Sequence, residues 1–443
     1  MARFVAPATV SILRNGSVQL CGLNLILNFE QGNRDMSFQI ENGLLIKYHP
    51  ENGETDIVIP DGVTTIGRCA FYDCRKLVSV VIPESVTTIG DDAFSGCSNL
   101  SSISIPESVT YIGSGVFAAC WNLQSINIPS AVEFIGKAIS ADCDRLSSLT
   151  VDPGNKYYHS AGNCIIHTES KSLMAGCAGS VIPDDGSVTV IEDHAFSGLR
   201  RLKRVFVPGT VKRIEMCAFA CCPVLESAVL SEGVETTAYA VFATCRNLRE
   251  VILPGTLKTV GIEAFKECGR LTRVVIPEGT ETIGSDAFES CKSLKTVTLP
   301  GTLRIIDSGA FKYCSMLEDI VLPESLKTLG NAAFLCCVRL EEIRIPEGCM
   351  EVGSRVFEYC PSLKDIYISD AAFRRVVFKG FPGPENIAAI HTETVTYENQ
   401  SAARKILMDQ MVLTEQDMKR YGKYIYYNIY LFPSLRPTNP AGR

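Results

Sequence analysis

The chain has 443 residues, 46% of them hydrophobic and 21% charged, with a net charge of −7. A mildly acidic, well-mixed surface argues against nucleic acid as the main partner, since that role needs a basic patch. No apolar run is long enough to span a bilayer as a helix, and the length exceeds what one globular core organises.

Residues 1–35 carry no repeat and little periodicity, which predicts an extension outside the fold, with Met36 a candidate true start. The stretch is a poor secretory signal: its only early charge is Arg3, and Arg14 interrupts the apolar run. Residues 36–59 hold two apolar runs, FQI and LLIKY, around Asn42-Gly43. Asn-Gly between such runs signals a hairpin, which would cap the open end of a repeat array.

From residue 60 the text repeats every 23 residues. Leu77–Cys97 reads L-x-x-V-x-I-P-x-x-V-x-x-I-G-x-x-A-F-x-x-C. The proline recurs at Pro60, Pro83, Pro106 and Pro129, and again at Pro254, Pro277, Pro300, Pro323 and Pro346. A fixed period of this length is the mark of a solenoid, in which each coil buries its apolar face against its neighbours. The alternating L-x-x-V-x-I predicts a short strand that ends at the proline, where a missing N–H harms a ladder least. V-x-x-I-G reads as a second apolar edge with a turn, and Ala-Phe as an interior plug. The glycine slot also holds Glu192, Glu215, Ala238 and Asp307. It therefore asks for a close backbone, not a left-handed one.

Of nineteen cysteines, most occupy one slot of the repeat, from Cys74 to Cys360. A slot filled once per coil meets the same environment each time, and free cysteine is among the most buried residue types. The reading is a column of reduced, core-forming thiols. The partners Cys221 and Cys336, each next to a slot cysteine, should point elsewhere.

Two places break the period. Residues 151–182 lack the Ala-Phe and cysteine slots and predict a hairpin-bearing insert, after which repeats resume over 183–369. The coil around Leu230-Ser231 has lost its proline and carries Thr237 for isoleucine, which marks the weakest link. Residues 370–443 leave the repeat and read as a C-terminal cap with a disordered tail. They include strand-like VVF and TVTY, a helix over Ser401–Met411, a possible helix cap at Thr414–Asp417, and the basic, aromatic KRYGKYIYYNIY.

The repeat unit, in phase from about Met36 to Ser369, resembles the BspA-like leucine-rich repeat of bacterial and some protist proteins. The resemblance implies a mainly β, α/β-type repeat: a right-handed leucine-rich repeat solenoid with a parallel sheet on one face. It further implies a non-catalytic interaction or adhesion scaffold, and a cell-surface or secreted setting, whereas the lack of a signal peptide points to the cytoplasm.

Catalytic and metal motifs are weak. Cys164-x-x-His167, with His159 and Cys177 nearby, is one loose pair, not the doubled short spacing of a zinc site. No phosphate loop, nucleophile elbow or His-Glu-x-x-His occurs. The expectation is no enzyme, no cofactor and no metal. The outward strand positions say more. In the first four coils they are small and hydroxyl-rich; from Arg204 onward they turn apolar and charged. Arg204, Phe206, Ile252, Arg273, Val275, Arg344 and Tyr367 are therefore the candidate residues for a protein or glycan partner. Two other classes remain: an enzyme subunit, or a membrane-surface or nucleic-acid contact, either carried by the non-repeat C-terminal region.

Overall fold

A computed structural model describes residues 38–50, 53–369 and 389–391, together with four short strands at 10–12, 18–20, 26–27 and 396–397. The strands of residues 10–27 pair only with one another, antiparallel. The expected helix at 401–411, the cap at 414–417, VVF and KRYGKYIYYNIY lie outside the described residues.

The described chain is a β-solenoid of 23-residue coils. It is mainly β, as expected, and no helix occurs among the described residues. The reason is local. Two residues of each coil, the second after the glycine slot and the one before the cysteine slot, hold left-handed φ. Asp92 (54°) and Gly96 (78°), Ala240 (56°) and Thr244 (62°), and Asp286 (54°) and Ser290 (61°) are examples. A left-handed residue interrupts any helical turn, so the Ala-Phe arc closes as turns. A β-branched threonine at φ 62° is strained.

Each coil contributes two parallel ladders, the expected sheet on one face and a second one made of shorter strands. The L-x-x-V-x-I strands register residue for residue, as in Arg204–Val207 beside Ser227–Leu230. The V-x-x-I edge forms a second ladder of two-residue strands, from Val190–Ile191 to Glu351–Val352. The arc adds coil-to-coil bonds of its own: Phe242 N donates to Ala264 O at 2.8 Å, and Phe265 N to Ala287 O at 2.7 Å. Three bonded sides leave few backbone groups without partners.

Two columns run through the aliphatic interior. The plug phenylalanines stack nearly parallel, with Phe242–Phe265 at 5.5 Å and Phe265–Phe288 at 5.3 Å between centroids. Beside them the slot thiols from Cys97 onward donate to the phenylalanine carbonyl 26 residues earlier: Cys97 to Phe71 O and Cys268 to Phe242 O at 3.2 Å, Cys291 to Phe265 O at 3.1 Å. Cysteine fits this slot because it is small, apolar and still a donor. All described cysteines are free thiols; Cys222 and Cys337 are buried, Cys221 is exposed and Cys336 half-buried.

The glycine slot is a matter of space. Gly67, Gly90, Gly113 and Gly136 are not left-handed. A Cβ on Gly90 would come within 2.9 Å of Arg68 N and 3.0 Å of the Gly67 carbonyl carbon. Where glutamate occupies the slot it turns to a surface ion pair, as with Glu192 to Lys137 at 3.3 Å and Glu215 to Arg213 at 3.1 Å.

At the proline-less coil the second ladder keeps two registered pairs with the preceding coil but only one, Thr236 with Thr259, with the next. Polar bonds compensate there. The Glu232 carboxylate accepts from Gly255 N at 2.9 Å, and the buried Thr237 hydroxyl accepts from Gly261 N at 3.1 Å.

Asn42 and Gly43, both at positive φ (49° and 78°), turn the hairpin of Phe38–Glu41 and Leu44–Tyr48. Tyr48 is buried and extends the aromatic column, 5.3 Å from Phe71.

The insert divides the core. Its strands Tyr158–Ala161, Cys164–His167 and Ser172–Ala175 are antiparallel, and the last pairs in parallel with Val190–Ile191. Tyr158 Oη accepts from Ile135 N at 2.8 Å, which closes the edge of the preceding ladder. Successive strand residues face opposite sides. Accordingly Ile165 and Met174 belong to the N-terminal core, and Cys164, Ile166 and Leu173 to the C-terminal one. The arc runs on past this wall: Asp142 N donates to Ser197 O at 2.8 Å.

This wall makes a prediction. Ile165→Ala and Ile166→Ala should each cost about 2–5 kcal/mol, but on opposite sides. Hydrogen exchange read by mass spectrometry should speed up mainly in residues 57–151 for the first variant and 182–368 for the second. Equal loosening of both halves by either variant would contradict two cores.

Candidate functional site: the outward strand face

On the first ladder, alternate residues point outward because the strand period is two. Arg204, Phe206, Ile252, Arg273, Val275 and Arg344 are exposed, and Tyr367 is half-buried. Register assembles them into rows. Phe206 stands beside Val229, and Val229 beside Ile252. Phe206 is 60% and Ile252 50% exposed, so the row is apolar yet open to water. Arg204, Ser227 and Glu250 form the neighbouring row. The hydrogen-bonded sheet stops after Glu250–Ile252 and restarts at Arg273–Val275. The candidates thus fall on successive short sheets instead of one.

Arg344 and Tyr367 belong to a third group, further along. The Arg344 guanidinium lies 5.4 Å over the Tyr367 ring. Tyr367 in turn stacks on His391 at 4.6 Å and 16°. His391 Nε2 is 3.0 Å from the Asp365 carboxylate. Open concavities of 320 and 370 Å³ flank this ridge. His391 carries no repeat signal, and only the pairing of its strand, Ala389–His391, with Asp365–Ile368 reveals it.

The first coils differ. Ser125 registers with Ser148 and Asn127 with Thr150, whose hydroxyl donates to Asn127 at 2.8 Å. Missed by the sequence reading is a stacked aromatic pair on the second ladder, Tyr111 and Phe134, 4.8 Å apart and both exposed.

The structure does not bring the loose cysteine–histidine group together as ligands. Cys164 and Cys177 are buried, while His159 pairs with Thr168 at 2.9 Å and His167 with Ser170 at 2.7 Å. Among the described residues no cluster of three or more His, Cys, Asp or Glu could hold a metal ion, and no helix is long and apolar enough to cross a membrane.

Stacked parallel strands with an open outward face define a leucine-rich repeat solenoid. The chain belongs to the BspA type leucine rich repeat region family, which it matches in six copies over residues 51–161, 176–291 and 258–382. It is similar in fold to a leucine-rich repeat protein from Eubacterium ventriosum, at 24% identity and a TM-score of 0.57, covering 66% of this chain and 88% of that one. It is also similar to the pneumococcal vaccine antigen PcpA, at 18% identity and a TM-score of 0.51, covering 79% of this chain and 84% of that one. None of the curated proteins matches it.

Proposed function

We infer that the protein is a non-catalytic interaction scaffold whose outward strand face, centred on Arg204, Phe206, Ile252, Arg273 and Val275, binds a protein partner. The observation that carries this is the Phe206–Val229–Ile252 row. Large apolar side chains are held out to water on a rigid sheet where the fold gains nothing from them. Arginine beside exposed aromatic and aliphatic groups is the composition of interface anchors. Arg344 and Tyr367 form a second contact region on the same face. A protein partner is favoured over a glycan because the row is dominated by aliphatic side chains, which offer no hydrogen bonds to sugar hydroxyls.

Replacing Phe206 and Arg273 together with serine tests the reading. The melting temperature should stay near that of the parent, since outward strand residues are worth within about 0.5 kcal/mol of stability. A captured partner should bind about 2 kcal/mol or more weaker. Undiminished capture by the folded double variant would move attention to the hydroxyl-rich face of the first coils.

A further inference from the structure

Cations gather beside this face, and most of them have no ion-pair partner among the described residues: Arg201 reaches Asp144 at 3.9 Å and Arg200 lies 5.3 Å over the Trp121 ring. Ahead of the outward row, the strand entry carries Arg200, Arg201, Lys203 and Arg204 in one coil, and Arg249, Arg273 and Lys295 in the coils that follow; all are exposed. Between them, the equivalent positions hold the acidic Glu226 and Glu250 and the neutral Ser227 and Thr272. Further along, the same positions turn acidic, with Glu318, Asp319, Glu341 and Glu342. On the arc, by contrast, cations are engaged: Lys266 with Glu263 and Glu289 at 3.1 and 3.0 Å, and Lys312 with Glu289 at 3.2 Å. Lys203, Arg204, Arg249, Arg273 and Lys295 make no ion pair among the described residues. A chain with net charge −7 thus gathers unpaired positive charge around one apolar row.

We propose that this stretch of the face, from Arg204 to Val275, is a docking site for an acidic peptide segment that carries apolar side chains. The proposal rests on the reading of the outward face as the interaction surface and names the chemistry of what it takes. Charge complementarity selects carboxylates, which arginine holds with paired hydrogen bonds. The row Phe206, Val229, Ile252 and Val275 selects against a plain polyanion. A sulfated glycan or a nucleic-acid backbone would satisfy the cations but leave this row wet, whereas a peptide alternating acidic and apolar residues covers both. Neighbouring coils stand about 4.8 Å apart, so the row spans roughly 15 Å, which an extended segment of about five residues covers.

The test uses the full chain and a fluorescent peptide of about twelve residues built from Glu-Glu-Phe repeats, followed by anisotropy at low salt. A Lys-Lys-Phe peptide of the same length is the charge control, and heparin is the polyanion control. Saturable binding of the acidic peptide is expected, weakening as salt rises. Arg204→Glu with Arg273→Glu should weaken it about tenfold or more, and so should Phe206→Ser, with melting temperatures unchanged. Failure of the acidic peptide to saturate overturns the proposal. So does equal binding of Lys-Lys-Phe, or full affinity in the charge-reversed variant. If heparin competes completely while Phe206→Ser has no effect, the surface is a polyanion site and the peptide assignment falls. Should the acidic peptide fail while the Phe206/Arg273 double serine variant still loses its captured partner, the face stands and only the acidic chemistry is lost.

Discussion

Truncating Phe265 to alanine is expected to cost about 3–5 kcal/mol of stability. The ring is 2% exposed and stacked on both sides, at 5.5 Å on Phe242 and 5.3 Å on Phe288. Its removal therefore takes away two aromatic contacts as well as buried area, and leaves a cavity that the flanking coils cannot close without breaking their own ladders. A solenoid holds together by its nearest-neighbour interfaces, so the loss falls on the coils either side of Phe265 first. Urea unfolding followed by circular dichroism measures the shift. Phe206→Ser, on the outside of the same fold, is the matched variant and should move the midpoint little. Equal effects of the two substitutions would mean that the inward and outward assignments are wrong.

Stability should also fall steeply in alkali. Burial pushes the slot thiols up, Cys74 to about 11 and Cys143, Cys291 and Cys360 to about 12, against an ordinary value of 9.0. Burial likewise carries Cys268, Cys314 and Cys337 well above that value. The folded chain therefore keeps thiol protons that the unfolded chain releases. Above the unfolded value the unfolded state binds fewer protons than the native one, so the slope of unfolding free energy with pH is negative. The thiols' contribution is fully present below about pH 9 and is lost as pH rises towards 11 and 12. Each thiol adds up to about 1.4 kcal/mol per pH unit in that window, and a column of them adds in concert. Denaturant midpoints measured under reducing conditions should be level from about pH 7 to 8.5 and drop sharply above about pH 9. Replacing Cys291 with alanine should make the drop shallower by about one proton's worth. A midpoint unchanged to about pH 11 would show that the column is not dry.

The period was legible because each slot meets the same surroundings once per coil, so selection for volume and polarity is written again and again. Phe94, Phe265 and Phe334 are recognisable as plugs, and Cys97 and Cys291 as core, from their slots in the period alone. Alternation placed Phe206 and Arg273 outside by the same logic. The glycine slot was legible too, because Glu192 and Glu215 in it exclude a demand for left-handed backbone.

What only the tertiary structure decided depends on closing the coil and stacking it on its neighbours. The left-handed positions hold Asp92, His194, Cys217 and Thr244, types with no shared chemistry, because φ there is imposed by the turn of the arc and paid in strain. The bond from Cys291 to Phe265 O spans 26 residues and exists only once one coil lies on the next. Cys164–His167 and Ser172–Ala175 read as strands from their apolar runs. Their role as a wall between two cores follows from burial on both faces, which a single segment cannot reveal. The segregation of unpaired arginines was likewise hidden in an overall net charge of −7. Charges 23 and 46 residues apart become neighbours only when parallel register brings their coils side by side.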